Sequence, residues 1–279
     1  MPFRDELFER GLLVETGVRG VYGRSPEFER VRRAFDDFVT RTAAADDPEP
    51  LSFPPVVPRE QLEKAGFFNS FPHLVGTVFA LQGEELQERV TELALLPAAC
   101  YPVYPAIAAR GRLPGDGVTV DTGAAHIFRH EPSDDPGRLQ SFHMRELVRM
   151  EAPEVVRAWQ EDWRDRSLEL FGALGLETEA DVGADPFFGR AGKILADSQR
   201  EQQLKFEILA PIEGPTAIAS FNYHQEHFSS TYGIELEDGG LAHTACLGFG
   251  HERVVLALLR RHGLDIGAWP DDVRSELRL

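Results

Sequence analysis

The segment around Arg253 has the composition expected of a site for an anionic ligand. An apolar, strand-like run at 243–247 is broken by the glycines of 248–250, and a helical pattern of valines and leucines follows. Glycine lets a ligand approach the backbone closely, and a helix that begins near Arg253 offers positive potential to an anion. Taken alone, the segment is equally well explained as an ordinary strand–turn–helix packing unit.

A second arginine, Arg129, lies beside Glu131 and ahead of a turn-rich loop at 132–137. Residues i and i+2 of a strand project from the same face, so these two side chains could address one ligand. Such a pair is usually a solvated ion pair on a protein surface. Its value as a ligand site therefore depends on the segment around Arg253.

The order of residues in these segments resembles the signature motifs of class II aminoacyl-tRNA synthetases. Residues 248–258 read Gly-Phe-Gly-x-Glu-Arg-x-x-Leu-Ala-Leu, similar to motif 3, and 128–131 match the Phe-Arg-x-Glu core of motif 2. A long helix followed by the proline-containing stretch 51–58 resembles motif 1, although a surface helix with an edge strand explains that stretch as well. The resemblance implies an α+β fold with an antiparallel β-sheet flanked by helices, a homodimer, and ATP as a substrate.

In the class II family these motifs bind ATP, and the resemblance implies the same roles here. Arg129 would hold the α-phosphate, Glu131 the adenine amino group or the periphery of the nucleotide, and Arg253 the γ-phosphate. Both arginines are expected to be catalytic. The ATP-binding residues implied by the resemblance are Arg129, Glu131, Arg138, Leu139, Ala217, Ile218, Ala219, Ser220 and Arg253.

Further segments resemble a narrower family, the amino acid:carrier protein ligases, homologues of the zinc-dependent seryl-tRNA synthetases of methanogens. The segments are 99–105, 144–148, 185–193, 197–207, 220–225 and 243–250, so the resemblance covers most of the chain. It implies Zn²⁺ held by Cys100, Glu146 and Cys246, with an open position for the substrate amine, as three protein ligands allow. It also implies that Glu146, Lys205 and Asn222 contact the amino acid. Without the resemblance, two scattered cysteines would be small buried hydrophobes.

The ligands of the Mg²⁺ that accompanies ATP stay open at this point. Many seryl-type synthetases carry a glutamate three residues before the position of Ser220, whereas this chain has Ala217 there. Magnesium would then rely on Glu207, on Ser220 or on water.

Composition limits the classes of function. The 279 residues carry a net charge of −17, which disfavours broad binding to nucleic acid. The first residues lack the apolar core of a signal peptide, and three prolines interrupt the uncharged run 93–109, so no membrane segment is expected. No boundary divides the chain. We expect one catalytic domain over residues 1–279, located in the cytoplasm.

The acceptor of the activated amino acid is expected to be a phosphopantetheinylated carrier protein rather than tRNA. Only about fifty residues precede the motif-1-like strand, and no heptad run offers a tRNA-binding coiled coil. Carrier proteins are acidic, as this chain is, so docking requires a local basic patch. The candidates for that patch, with an ordinary solvated helix as the alternative, are Arg190, Lys193, Arg200 and Lys205.

Periodicity predicts the elements that must position these residues. Residues 1–45 are predicted to be helical, with Ser25 as N-cap and Pro26 at the first position of the longer helix. Residues 59–93 are predicted to alternate short helical pieces with turns, and 153–174 to form an amphipathic helix. A strand–loop–strand is predicted at 126–148, and further strands at 204–210, 216–222 and 241–247.

These expectations combine into a two-step ligase. It would activate glycine or alanine with ATP as an aminoacyl-adenylate and pass the aminoacyl group to the phosphopantetheine thiol of a carrier protein. The alternatives are a seryl-type tRNA synthetase and a non-catalytic paralogue that binds a nucleotide as a regulator. Glycine and alanine are not separated, because a pocket discriminates one methyl group by only about 1–3 kcal/mol.

Overall fold

Twelve strands form three sheets in the computed structural model, which describes all residues 1–279. The strands are β1 (Leu13–Val18), β2 (Val21–Arg24), β3 (Glu49–Pro50), β4 (Val56–Pro58), β5 (Thr77–Gln82), β6 (Gln87–Leu95), β7 (Val118–Phe128), β8 (Ser141–Glu151), β9 (Glu179–Val182), β10 (Lys205–Pro211), β11 (Pro215–Gln225) and β12 (His243–Gly250). The large sheet has the order β3-β7-β8-β12-β11-β10-β9. Only the β3–β7 pair in it is parallel. Strands β4-β6-β5 and β1-β2 form the two small sheets.

Ten α-helices surround these sheets. They are α1 (Phe3–Glu9), α2 (Pro26–Ala43), α3 (Arg59–Lys64), α4 (Phe67–Ser70), α5 (Val103–Ala108), α6 (Pro153–Ala173), α7 (Gly189–Glu201), α8 (His227–Tyr232), α9 (His251–His262) and α10 (Asp271–Leu277). Three short 3₁₀ helices occupy Ala44–Asp46, Pro72–Leu74 and Ile266–Ala268. None of the helices combines the length and the apolar character needed to cross a membrane.

Helices α2, α6 and α9 cover one face of the large sheet. The ring of Phe249 on β12 packs against Phe35 of α2 and against Trp163 and Phe171 of α6, with ring centroids 5.9, 6.5 and 6.1 Å apart. Successive side chains of a strand point to opposite faces. The neighbours of Phe249 on β12 therefore face away from this core.

The first 45 residues contain less helix than the sequence predicts. Helix α1 ends at Glu9 and a β-hairpin, β1–β2, precedes α2. Gly20 adopts a positive φ of +75° at the hairpin turn, which other residues adopt only with strain, so the turn overrides the helical spacing around it. The start of α2 is as predicted. The Ser25 Oγ accepts a hydrogen bond from the Phe28 N–H at 3.1 Å, and Pro26 is the first helical residue.

A second hairpin occupies the end of the stretch 59–93, where short helical pieces alternating with turns are predicted. Helices α3 and α4 agree with the prediction, but β5 and β6 follow them. The turn contains Gly83 at φ +75°, and β-branched residues such as Val78, Val90 and Thr91 favour the strands on either side.

The remaining predicted elements are found, with two shifts near the motifs. Strand β12 continues through the glycines to Gly250, because it is hydrogen-bonded on both sides, to β8 and β11. Strand β7 ends at Phe128, so Arg129 and Glu131 lie beyond the strand and not on it. The Arg129 N–H still donates to the Gln140 carbonyl at 2.9 Å, but the Glu131 N–H donates back to the Arg129 carbonyl at 2.8 Å, which ends the ladder.

Replacing Phe249 with alanine is expected to lower the free energy of unfolding by about 3–5 kcal/mol, because it removes a ring buried among three aromatic side chains. Val155→Ala, at an exposed position of α6, is the control and should change it by less than about 0.5 kcal/mol. Urea denaturation followed by fluorescence measures both values. Equal effects of the two substitutions would contradict this assignment of the core.

Candidate active site

Polar side chains from four neighbouring strands share the face of the large sheet opposite Phe249. Lys205 of β10 pairs with Asn222 of β11, and Asn222 pairs with Cys246 of β12. Two residues further along β12, Gly248 pairs with Glu146 of β8. Paired residues of adjacent strands project from the same face, so the sheet brings together side chains from distant parts of the sequence.

Cys100, Glu146 and Cys246 form a buried cluster whose ligand atoms all lie within 4.8 Å of one another. Cys100, which lies outside the sheet just before α5, donates its backbone N–H to Glu146 Oε2 at 2.7 Å. Gly248 leaves room for this carboxylate, since a Cβ at that position would lie 3.3 Å from Glu146 Cγ. Two thiols and a carboxylate are ligands that zinc accepts, and three of them leave one tetrahedral position for a substrate.

The cluster resists ionisation as long as no cation balances it. The hydrogen bond to Cys100 and burial raise the pKa of Cys246 well above its usual value. The hydrogen bond with Cys246 lowers the pKa of Cys100, but burial and the charge of Glu146 outweigh it, so that this pKa is raised as well. Burial also raises the pKa of Glu146. A divalent cation stabilises the deprotonated forms of such ligands, so this donor set fits zinc.

Arg129 and Arg253 are held by backbone carbonyls and not by carboxylates. Arg129 Nε donates to the Pro97 carbonyl at 2.9 Å, and Arg253 donates from Nε to the Gly137 carbonyl at 2.7 Å and from Nη1 to the Ala217 carbonyl at 2.9 Å. Burial and then the charge of Arg129 lower the pKa of Arg253. Repulsion between two neighbouring cations favours an anion between them.

The other residues predicted to bind ATP lie around these arginines. Arg138 is exposed, with its guanidinium 3.9 Å from the carboxylate of Glu131. Leu139 is buried and lines a small cavity together with Phe142 and Arg253. Phe142 was not predicted as a site residue, although its position on β8, the strand that follows the motif-2 loop, could have indicated it. The guanidinium carbon of Arg129 lies 5.8 Å from its ring centre, and such an aromatic surface suits a flat base.

Lys205 is buried, so its assignment to a surface patch is wrong. Its Nζ lies 2.7 Å from Asp185 Oδ1 and 3.0 Å from Glu207 Oε1. Burial by itself would lower the pKa of Lys205, but the charges of Asp185 and Glu207 outweigh it and raise that pKa. As the partner of Asn222 in the sheet, Lys205 points to the face that carries the cluster. The rest of the predicted patch is exposed on α7, namely Arg190, Lys193 and Arg200.

Strand β11 supplies the other predicted contacts. The Asn222 Nδ2 donates to Ser220 Oγ at 3.0 Å and lies 3.6 Å from Cys246 Sγ, while its Oδ1 is buried without a hydrogen-bond partner. A buried carbonyl oxygen without a donor is costly, and a substrate amine would satisfy it. Ile218 and Ala219 are buried beside Ala217, which contributes only its carbonyl to Arg253. Ser220 pairs with Glu207 of β10.

Two further residues beside this site were missed from the sequence. His224 Nε2 lies 3.6 Å from Cys246 Sγ and its Nδ1 lies 3.1 Å from Thr244 Oγ1. Burial lowers the pKa of His224 to about 3, so its ring is neutral. The period of two along β11, from Asn222 to His224, could have found it. Asp185 comes from the loop before α7, and no spacing in the sequence connects it to Lys205.

Comparisons with known proteins identify the relatives of this chain. It is 44% identical to the amino acid–acyl-carrier-protein ligase 1 of Bradyrhizobium diazoefficiens, in an alignment that covers 94% of this chain and 86% of that protein. It is 24% identical to the type-2 serine–tRNA ligase of Methanopyrus kandleri, with 98% and 59% covered. The crystal structure of the seryl-tRNA synthetase from Pyrococcus horikoshii complexed with ATP matches with a TM-score of 0.76 and 18% identity, covering all of this chain and 63% of that one. No protein-family model matches.

The sheet and its flanking helices have the class II aminoacyl-tRNA synthetase fold, as the motifs predicted. At 44% identity over nearly its whole length, the chain belongs to the family of amino acid–acyl-carrier-protein ligases. It spans about three fifths of the length of the two seryl-tRNA synthetases, whose coverage is 59% and 63%. The likeness to the solved structure shows the fold alone.

Zinc binding to the metal-free protein is expected to strengthen as the pH rises from about 6 to about 8, because zinc displaces protons from thiols whose pKa values are raised. Competition with a chromogenic chelator measures the affinity at each pH. Cys246→Ala should abolish stoichiometric binding, whereas Thr244→Ala, two residues away on the same strand, should retain it. Binding that is unchanged in Cys246→Ala would rule out the cluster as the zinc site.

Proposed function

We propose that this protein activates a small amino acid with ATP and transfers it to the phosphopantetheine thiol of a carrier protein. One observation carries the proposal: a cluster of two thiols and a carboxylate lies near two arginines without carboxylate partners. The arginines suit a triphosphate, and the cluster suits a metal with a substrate amine. The charge of Arg129 acts on the pKa of Glu146, so the two groups are neighbours.

In the first step the amino acid carboxylate attacks the α-phosphorus of ATP. A bond forms between carboxylate oxygen and phosphorus, the bond to the bridging oxygen of the β-phosphate breaks, and pyrophosphate leaves. Arg129 and Arg253 stabilise the charge that grows on the phosphate oxygens, usually the largest contribution in such sites. Their backbone anchors keep them in place before ATP arrives. Phe142 flanks the adenine ring, and Glu131 accepts from its amino group.

The amino acid is held between the thiol cluster and β10–β11. A zinc ion held by Cys100, Glu146 and Cys246 would supply an electrophilic centre for the amine. Asn222 Oδ1 accepts from the amine, and Lys205 places a positive charge beside the carboxylate. Orientation of this kind accelerates the attack because the reacting groups need no further ordering. Glu207 and Ser220, paired across β10 and β11, are the candidates for the Mg²⁺ that accompanies ATP.

In the second step the phosphopantetheine thiol attacks the carbonyl carbon of the aminoacyl-adenylate. A thioester forms, the bond to AMP breaks, and the thiol proton is released. The name of the relative from Bradyrhizobium diazoefficiens supports a carrier protein as the acceptor. Arg190 and Lys193, exposed on α7 and outside any ion pair, offer local positive charge to an acidic carrier in a chain of net charge −17. Arg200, also on α7, pairs with Asp197 at 3.2 Å.

The same proposal includes the assembly. Residues 1–279 act as one catalytic domain, in the cytoplasm, where ATP and carrier proteins meet. Two copies associate through the element that resembles motif 1, α2 with the stretch 51–58. An apolar groove lined by prolines and valines, with Phe53 at one end, runs along that stretch, and prolines suit an edge or an interface better than a central strand.

Arg253→Ala is expected to lower the rate of ATP–pyrophosphate exchange by about 10²–10³-fold, because it removes a preorganised charge from the transition state. The exchange should depend on glycine or alanine and should disappear on zinc removal. Arg261→Ala, on the same helix at an exposed position, is the control and should stay within about twofold of the wild type. Unchanged exchange in Arg253→Ala would favour a nucleotide-binding regulator over a ligase.

Incubation with ATP, glycine or alanine, and holo-acyl-carrier protein should add the mass of one aminoacyl group to the carrier. No mass should be added when the apo-carrier replaces the holo-carrier, because only the phosphopantetheine arm supplies a thiol. Intact mass spectrometry measures the product. A parallel reaction with tRNA is the comparison, and charging of tRNA without any change in the carrier would favour a seryl-type synthetase.

A further inference from the structure

Gln199 of α7 is joined to Asp185 by two hydrogen bonds. The Asp185 backbone N–H donates to Gln199 Oε1 at 2.7 Å, and Gln199 Nε2 donates to Asp185 Oδ2 at 2.9 Å. An amide that accepts from the backbone and donates to the carboxylate of one residue fixes the direction of that carboxylate. The other oxygen, Oδ1, receives the hydrogen bond of Lys205 Nζ at 2.7 Å. One carboxylate therefore connects the helix to the buried lysine.

Helix α7 is fastened to the same loop at further points. Gly192 is buried, and a Cβ there would lie 2.6 Å from the Phe187 backbone, so the helix packs directly on the loop. The Phe187 ring stacks on Phe71 at 5.1 Å, and the Phe188 N–H donates to the Ser70 carbonyl at 2.9 Å. The close packing of Gly192 on the Phe187 backbone couples the position of α7 to that of the loop, and residues 70–71 hold the loop in turn.

The outer face of α7 is unlike its inner face. The apolar side chains of Ile194 and Leu195 are 71% and 50% exposed, and Phe188 at its start is 59% exposed. The cations Arg190, Lys193 and Arg200 lie among them. Exposed apolar groups ringed by charges are typical of a surface that receives a partner. The surface that a carrier would press on thus lies on the same helix as Gln199.

We propose that Gln199 is a positioning residue. Through Asp185, it couples the position of α7 to the position of Lys205. The inference rests on the proposed function, in which Lys205 adjoins the amino acid and α7 receives the carrier. Lys205 is 6% exposed, so it depends on fixed partners to hold its charge away from water. Loss of the Gln199 contacts lets Asp185 turn, and Lys205 loses one of its two carboxylates. A partner that shifts α7 reaches the amino acid site by the same route.

The chain contains three lysines, which makes amine labelling a direct test. Lys64 and Lys193 are exposed, whereas Lys205 is buried, so brief acetylation read by peptide mass spectrometry should label Lys205 slowest. Gln199→Met keeps the length of the side chain but not its hydrogen bonds, and should speed the labelling of Lys205 by about tenfold. Rates at Lys64 and Lys193 should not change.

Gln202→Met is the matched control, because Gln202 lies one turn away and is exposed, with its Nε2 bonded to Ser198 Oγ. It should leave the labelling of Lys205 as in the wild type. Equal labelling of Lys205 in the wild type and in Gln199→Met would overturn the proposal. If Gln199→Met fails to fold, Gln199→Glu serves instead, since its carboxylate faces that of Asp185 and should also speed the labelling.

Exchange kinetics separate positioning from a merely structural role. Gln199→Met should raise the KM for the amino acid by about tenfold and leave the KM for ATP unchanged. The same substitution should add little in an Asp185→Asn background, because both act through one carboxylate. Equal changes in both KM values would contradict coupling through Lys205. A wild type with no exchange activity would refute the proposed function, and the labelling rates would still decide the role of Gln199.

Discussion

Two neighbouring groups of ionisable side chains that form no ion pair within the protein are the constraint on which this site depends. Two thiols and a carboxylate lie within 4.8 Å of one another, and two arginines share a nearby region without a carboxylate on either. Burial disfavours the charged forms of both groups, as the raised pKa values of Cys246 and Glu146 and the lowered pKa of Arg253 show. A cation suits the thiol cluster and a polyphosphate suits the arginines, because each would supply the opposite charge.

On the face of the sheet that carries Phe249, buried charges are paired with one another. Glu252, at the start of α9, accepts from the backbone N–H and ring of His143 and pairs with Arg24 at 2.9 Å. Burial by itself would raise the pKa of Glu252, but these partners lower it. Arg145 likewise pairs with both Asp121 and Asp36. The charges that hold α2, β7 and α9 to the sheet are paired within the protein, whereas Arg129 and Arg253 have no carboxylate partner.

Two glycines allow close packing in this region because they have no side chain. Gly248 lets Glu146 lie against β12, where a Cβ would come within 3.3 Å of it, and Gly192 lets α7 rest on the Phe187 backbone. Both glycines adjoin a residue of the site or of the loop that holds Asp185. The approach of Glu146 to β12 and the seating of α7 on the loop 185–188 thus both depend on the missing Cβ of a glycine.

The sequence by itself determined the class of the fold, the motif arginines and the identity of the three candidate metal ligands. Those features depend on short local patterns, such as the glycines and Arg253 at the start of α9, which are visible in the sequence because their residues are neighbours in it. It also predicted α6 and the strands of the sheet, because their periodicity is strong. It was wrong where a turn glycine outweighed helical spacing, as at Gly20 and Gly83, and where Arg129 was placed on a strand that ends at Phe128.

Only the tertiary structure decided which residues face each other. The sequence assigned Lys205 both to a surface patch and to the amino acid contacts. Strand register turns it to the buried face beside Asn222, and Asp185 meets it from a loop twenty residues earlier in the chain. Sequence spacing carries no information about such contacts, because they depend on how strands align and on where a loop returns to the sheet. The sequence therefore indicated the chemistry of single residues, whereas the tertiary structure decided which residues contact one another.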